Sequence, residues 1–447
     1  MKVKPLFTAI LLATAAAFPA SAQFMQDLQG LFGRLDQQSS RDQENVVKVD
    51  YNVDFHYFLD VREFGASDDI FMESEIINLA RFSPSAVVRF DQGRQATHRL
   101  SLGIDLTKDL GANPTRVEYY SEKEHDSSIR NTGLMKDIFF YYNYIKHTRA
   151  GHLGFYAGIH PRTALQGYYT RAIFADEIIY NDPNIEGITV QYSSPRFSFE
   201  LVGDLIGKKG VDRIGGEMAF TSLEYRPFKW AAIGLDGSYT HIRGNYLYPA
   251  NSEYAVANPY IKLDFAPLFH MQEFYIKGGG LGSYALDHGM TEEQPHFPLG
   301  AEAMLGIRHW GIGVEDTFYY GENQQVYYSS VYQDYTSLIK YVDSLYQGET
   351  FYFTRRGVPT WYNRAEIYWQ PLGTGFATAR VSAIGHFITP AGSDPATRVG
   401  PYIGLQAKAT VLFNLDAFRY PREGAQVTRR AREKRAGRRS AGPLFSL

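Results

Sequence analysis

The sequence predicts an all-β protein: one antiparallel β-barrel that crosses a bilayer with about sixteen strands, fourteen or eighteen being the neighbouring solutions. Three observations predict it. Apolar and polar residues alternate with period two in segment after segment between residues 47 and 418. Many segments hold the alternation for about 9 to 12 residues, the length that crosses a bilayer at a tilt, where a soluble strand usually has about 5 or 6. The connections between segments are alternately short and long.

Composition narrows the class before any element is placed. The chain has 447 residues, 44% hydrophobic and 15% aromatic, with 33 Tyr, 30 Phe, 41 Gly and no Cys. So many aromatic residues exclude disorder, and the missing thiols exclude a disulfide framework or a Cys-ligated zinc site. Beyond the first 20 residues there is no uncharged apolar run of about 18, so spanning helices are excluded as well.

The first element is an export address. Lys2 and Lys4 precede the apolar run Leu6 to Ala13, and Ala20-Ser21-Ala22 precedes Gln23, the order of a secretory signal with a small-residue cleavage site over residues 1–22. Residues 23–46 follow as an amphipathic leader. Phe24, Met25, Leu28, Leu31, Phe32 and Leu35 have helical spacing ahead of the polar stretch Gln37 to Glu44, so this segment caps the periplasmic mouth, enters the lumen as a plug, or frays.

The barrel occupies residues 47–418. Tyr51, Val53, Phe55, Tyr57 and Leu59 alternate with Asn52, Asp54, His56 and Asp60; Leu100, Leu102, Ile104 and Leu106 alternate with Ser101, Gly103, Asp105 and Thr107. The same pattern gives sixteen strands centred near residues 54, 86, 102, 141, 155, 190, 200, 220, 236, 262, 276, 303, 314, 365, 381 and 408. Connections after even strands are short, such as Ser193 to Arg196 and Arg308 to Trp310. Those after odd strands are mostly long, including Lys108 to Leu134, Pro161 to Glu186 and Gly321 to Thr360.

Charge divides the chain unevenly. The signal carries +2 and the Arg-rich segment from Arg419 carries +7, so residues 23–418 hold −12 of a total of −3. Residues 419–447 have no periodic apolar face and read as a disordered basic periplasmic tail, with binding to an anionic envelope polymer or lipid headgroup as the other reading, and not as a nucleic-acid footprint.

With the signal, the alternation, the loop parity and a last strand running Gly404 to Phe413, the chain resembles Gram-negative outer-membrane β-barrels of the porin type. The stretch Phe155-Tyr156-Ala157-Gly158-Ile159-His160-Pro161-Arg162, continuing to Tyr192, is similar to poorly characterised outer-membrane barrels of Bacteroidetes. The resemblance implies an outer-membrane location, short periplasmic turns and long extracellular loops. It also implies lipopolysaccharide and the barrel-assembly machinery as partners, and small hydrophilic solutes as cargo. A homo-oligomer is left open.

In such barrels the third long loop folds inward and narrows the channel. Pro161 to Glu186 holds that ordinal place, and the residues that would set a transverse field are Arg162, Arg171, Asp176, Glu177 and Asp182. Wall positions with the inward parity, expected to line a wet lumen, are Arg89, Asp105, Glu200, Asp236, Glu302, Arg308, Arg364, Glu366 and Arg380. The Tyr-rich stretch Gly321 to Thr360 has helix-like spacing at Leu338, Ile339, Val342 and Leu345, which predicts a short lid helix, with stacking on glycans as the other use of its rings.

Nothing in the sequence calls for catalysis, a cofactor or a metal. The histidines are scattered, and there is neither a G-x-S-x-G elbow nor an H-E-x-x-H pair. The function expected is passive or weakly selective diffusion of small hydrophilic solutes. The alternatives are a plugged barrel with an adhesive, glycan-binding or structural role and, behind it, a barrel phospholipase or deacylase.

Overall fold

The computed structural model describes residues 46–64, 76–92, 96–110, 134–148, 150–176, 178–206, 215–243, 251–288, 295–322, 324, 348, 359–373, 376–389 and 402–415. The signal, the leader to residue 45, the lid segment 325–347, Glu177 and the basic tail lie outside them.

Sixteen strands form a closed barrel in which each pairs with its sequence neighbours and β1 closes on β16. They are β1 Val46–Phe64, β2 Ile76–Gln92, β3 Ala96–Asp109, β4 Leu134–His147, β5 His152–Pro161, β6 Asn184–Ser193, β7 Phe197–Leu205 and β8 Gly215–Phe228. The second half comprises β9 Ala231–Arg243, β10 Ser252–Asp264, β11 Glu273–Asp287, β12 Leu299–His309, β13 Ile312–Gly321, β14 Thr360–Gly373, β15 Ala377–Thr389 and β16 Tyr402–Asn414. All pairs are antiparallel. Every one of the sixteen expected centres falls inside its strand. Closure satisfies the backbone without leaving an edge, which is the reason such a sheet survives in hydrocarbon.

Strand lengths run from 9 residues in β7 to 19 in β1, so several strands outreach the expected span. The turns after even strands are tight. Trp310 and Gly311 both have positive φ, 52° and 82°, the two-residue turn that matches the twist of its flanking strands. After β10 a single helical turn, Ala266–Phe269, fills the connection. No helix among the described residues is long and apolar enough to cross a membrane.

Alternation decides which side each residue meets. Val49, Leu102, Ile138, Ile233 and Ile367 stand exposed on the outer wall. Asn52, Asp54, His56 and Asp60 on β1, and Glu200, Val202 and Asp204 on β7, face inward and are buried. The inner wall is not uniformly polar. At the long-loop half of the barrel, Phe64, Ile185, Val202, Phe220, Leu281, Tyr362 and Ile388 form an inward apolar ring. Below it, inward glycines lie directly opposite aromatic residues across strand pairs: Gly234 opposite Tyr260, Gly306 opposite Tyr275 and Gly313 opposite Tyr368. Each ring folds over the glycine where a Cβ would stand.

A charged strap across the lumen

The strap begins where β5 leaves its neighbour. The β4–β5 pairing ends at Tyr141 and Gly158, although both strands continue beyond it. Gly158 has φ 107°, which a residue with a Cβ rarely adopts, and that Cβ would run into the Phe140 carbonyl. Beyond that point β5 stays paired with β6 as far as Pro161 and Asn184, and the chain then turns into the barrel through the short 3-10 turn Arg162–Ala164.

Arg162 is buried at the neck of the strap. Its guanidinium holds the Asp182 carboxylate at 2.5 Å and carbonyl at 2.8 Å, and the Asp204 carboxylate on β7 at 2.8 Å. Its own N–H donates to the Pro183 carbonyl, so the two ends of the strap are tied together. Arg162 and Asp182, expected at the constriction, form this neck instead, because a buried guanidinium with several donors satisfies the crossing of two chain ends.

From the neck the chain follows the inner wall. Glu200 on β7 accepts the N–H of Gln166 (2.6 Å), the N–H of Gly167 (3.0 Å) and the hydroxyl of Tyr169 (2.6 Å). The N–H of Tyr168 donates to the Ser222 hydroxyl on β8, and the N–H of Thr170 donates to Asp236 on β9 at 2.8 Å. The Thr170 hydroxyl donates to Glu302 on β12 at 2.8 Å. Between these acids, the Lys277 ammonium of β11 sits 4.0 Å from the ring centroid of Tyr168 and 4.1 Å from that of Tyr260, within cation–π reach of both. Asp236 and Glu302 lie 3.9 and 3.8 Å from it.

The strap then reaches the far wall. Arg171 bridges Glu315 on β13 (3.0 Å) and Asp176 (2.8 Å). Asp176 in turn meets Lys408 on β16 at 2.7 Å and Arg364 on β14 at 3.4 Å. Apolar contacts fix the middle: Ala172 and Ile173 are buried in the inward ring, and Phe174 packs edge-on against Phe220 at 4.8 Å between centroids. The Asp176 side chain still keeps 41% exposure. Against the opposing pull of burial, Arg171, Lys408 and Arg364 hold its carboxyl well below the usual carboxylate range.

The nine wall positions all have the inward parity, but they fall into three groups. Glu200, Asp236 and Glu302 are acceptors for the strap. Arg364, Glu366 and Arg380 form a chain at the far wall, Arg364 to Glu366 at 2.7 Å and Arg380 to Glu366 at 2.6 Å, with the Arg380 guanidinium 3.6 Å over the Tyr368 ring. The third group stays away from the strap's far end: Asp105 pairs with Arg81 at 3.0 Å and Asn184, Arg89 with Asp91 at 2.8 Å, and Arg308 with Glu273 at 2.5 Å. Of the nine, Asp105, Glu200, Asp236, Glu302, Arg364 and Glu366 are buried. Strap donors satisfy Glu200, Asp236 and Glu302, and wall partners satisfy the others, as burial of a charge requires.

Glu315, Lys408, Asp204 and Lys277 were missed as site residues. Each has the inward parity of its strand, the signal that would have found it; what the sequence lacks is any mark of which inward charges the strap reaches.

No family model matches the sequence, and no curated protein matches it. Among solved structures the chain is similar to Salmonella typhi OmpF in complex with daunomycin, at 10% identity and a TM-score of 0.40, over 82% of this chain and 97% of that one. It is similar to Acinetobacter baumannii OccAB3 at 8% identity and a TM-score of 0.38, over 82% and 99%. It is similar to Pseudomonas aeruginosa opdK at 10% identity and a TM-score of 0.35, over 82% and 98%.

Proposed function

We propose that this chain is a non-enzymatic outer-membrane channel for passive or weakly selective diffusion of small hydrophilic solutes. The observation that carries the reading is the strap, which runs from the β5–β7 wall to β13, β14 and β16 with the partly exposed Asp176 between Lys408, Arg364 and Arg171. An apolar outer wall around a charged interior is what a bilayer on one side and water on the other would require. Charges of both signs at a narrowed section orient dipolar solutes and sort ions by sign. Arg171 and Asp176 are the strap's proposed selectivity charges, with Glu315, Arg364, Glu366, Arg380 and Lys408 as their wall partners.

In this reading the short turns face the periplasm and the long loops the cell exterior, with lipopolysaccharide around the outer wall and the barrel-assembly machinery inserting it. The signal over residues 1–22 directs export. Kinship with Bacteroidetes barrels rests on the segment from Phe155 to Arg162 and Tyr192.

A second reading, a plugged barrel with an adhesive, glycan-binding or structural role, is favoured by the packing of Ala172, Ile173 and Phe174 into the inward ring. Planar-bilayer recording of the purified, refolded protein separates the two. Stepwise conductance supports the channel. A folded, inserted protein that passes no current would support the plug.

A further inference from the structure

His147 ends β4 and His152 opens β5, and the register sets them directly opposite each other. Their parity is that of the buried residues Ile145 and Gly154, so both rings face the lumen at the short-turn rim, away from the strap's far end. The hairpin between them is fixed. The N–H and hydroxyl of Thr148 each donate to the Gly151 carbonyl at 2.8 Å, and the Gly151 N–H donates to the Thr148 hydroxyl at 3.0 Å.

The two imidazoles meet edge to face, with centroids 4.7 Å apart and their Nδ1 atoms 2.6 Å apart. At that separation one Nδ1 carries a proton and the other offers a lone pair. A change of tautomer that moves this proton to the Nε2 of its own ring leaves two neutral imidazoles whose Nδ1 lone pairs face each other across the gap. A tetrahedral zinc ion binds imidazole nitrogen at about 2.0 to 2.1 Å, which puts two ligating nitrogens about 3.3 Å apart. The rings therefore need to part by less than 1 Å to admit the ion, and both side chains are only half-buried.

We propose that His147 and His152 form a two-imidazole site for a divalent transition-metal ion at the short-turn mouth of the lumen. Imidazole selects zinc, nickel and copper over magnesium and calcium. No group of three His, Asp or Glu gathers among the described residues, so water completes the coordination shell and the ion exchanges. A bound ion places two positive charges at the mouth and opposes the passage of cations. This effect on current rests on the channel reading; the binding itself does not.

The test uses the refolded full chain in detergent. Calorimetry with zinc chloride should give one saturable site, and His147→Gln and His152→Asn should each weaken it at least tenfold. Electron paramagnetic resonance of one equivalent of copper(II) on the unaltered protein should show two equatorial imidazole nitrogens, which keeps the proposal testable if a variant fails to fold. Zinc added on the short-turn side of a bilayer should lower cation current, and the His152→Asn variant should abolish that block. Retained zinc affinity in both variants, or a single nitrogen ligand for copper, overturns the site. A protein that binds zinc through these histidines but carries no current in any state keeps the site and removes the channel.

Discussion

The carboxylate of Asp176, in the strap after β5, lies 2.7 Å from the ammonium of Lys408 in β16, the strand that closes the barrel on β1. A contact between residues 232 positions apart ties the inward segment to the seam. Closing the barrel and seating the strap are thus coupled: Lys408 reaches its lumenal position only when β16 is paired, and Asp176 gains it only when the strap has crossed. Arg364 and Arg171 share the same carboxylate, so the strap's far end is held by a small network instead of a lone exposed pair, which would contribute little.

The outer wall gives the first prediction. Leu102 is 55% exposed on β3, while its neighbours Ser101 and Gly103 are buried on the inner face. Replacing Leu102 with Arg should destabilise the barrel by about 2 to 4 kcal/mol in lipid vesicles, the cost of a charge near the midplane of a lipid-facing strand. Leu102→Val should leave stability nearly unchanged. Denaturant unfolding in vesicles checks both, and equal tolerance of Arg and Val would mean that this face does not meet hydrocarbon.

The second prediction concerns the seat of the strap. Glu200 accepts two backbone N–H groups and the Tyr169 hydroxyl, and it also accepts from Gln191 at 2.6 Å. Replacing it with Ala removes all of these acceptors together and leaves a cavity beside Gly167. The Gln166 and Gly167 amides should exchange with solvent at least tenfold faster, while the strand amides of β7 and β8 stay protected. Hydrogen exchange read by mass spectrometry on the refolded variant measures this, and unchanged exchange would show that the apolar ring alone seats the strap.

The legible part of the molecule was the part governed by one local rule. Period-two alternation placed all sixteen strands, since a residue facing lipid and its neighbour facing the lumen differ in sequence wherever lipid is the boundary. The same rule gave the inward parity of Glu200, Asp236 and Arg364. It could not say that Glu200 would accept strap amides while Asp105 would pair with Arg81, because those partners come from elements 33 and 24 residues away. Nor does polar-inward alternation predict Phe220 or Ile388 on the inner face. Phe220 packs against Phe174 of the strap, and Ile388 belongs to the same buried cluster as the strap's Ala172 and Ile173.

Acidity supplies the third prediction. The carboxyl of Asp176 is held well below its ordinary value of 3.8 by three cations. A depressed pKa means that the strap's attachment through Asp176 is complete above the ordinary carboxylate range and is lost only as pH falls through the lowered value. Between about pH 8 and about pH 4 the part of ion selectivity that depends on Asp176 should therefore stay flat, whereas an ordinary carboxylate would have lost about half its charge at the lower limit. Reversal potentials measured across that range, compared between the unaltered protein and Asp176→Asn, check it. A difference between the two proteins that has already fallen by about half near pH 4 would mean that Asp176 titrates like an ordinary exposed carboxylate.

The last prediction tests the charge of the strap itself. Asp176→Asn keeps the shape of the side chain but removes the negative charge on which Arg171, Lys408 and Arg364 converge. Their positive charge then faces the lumen less compensated, so selectivity should move toward anions. Screening extends over about 8 Å at physiological salt and further at low salt, so the shift should grow as salt is diluted if the charge sits in a narrow passage. On an outer surface the same change would scarcely register. Lys408→Met should move selectivity the opposite way, since it leaves Asp176 with one cation fewer. Reversal potentials under a salt gradient read both variants, with strand content and heat-modifiable migration confirming that each has folded. If both folded variants keep the selectivity of the unaltered protein at low salt, ions do not pass Asp176, and the strap belongs to a plug.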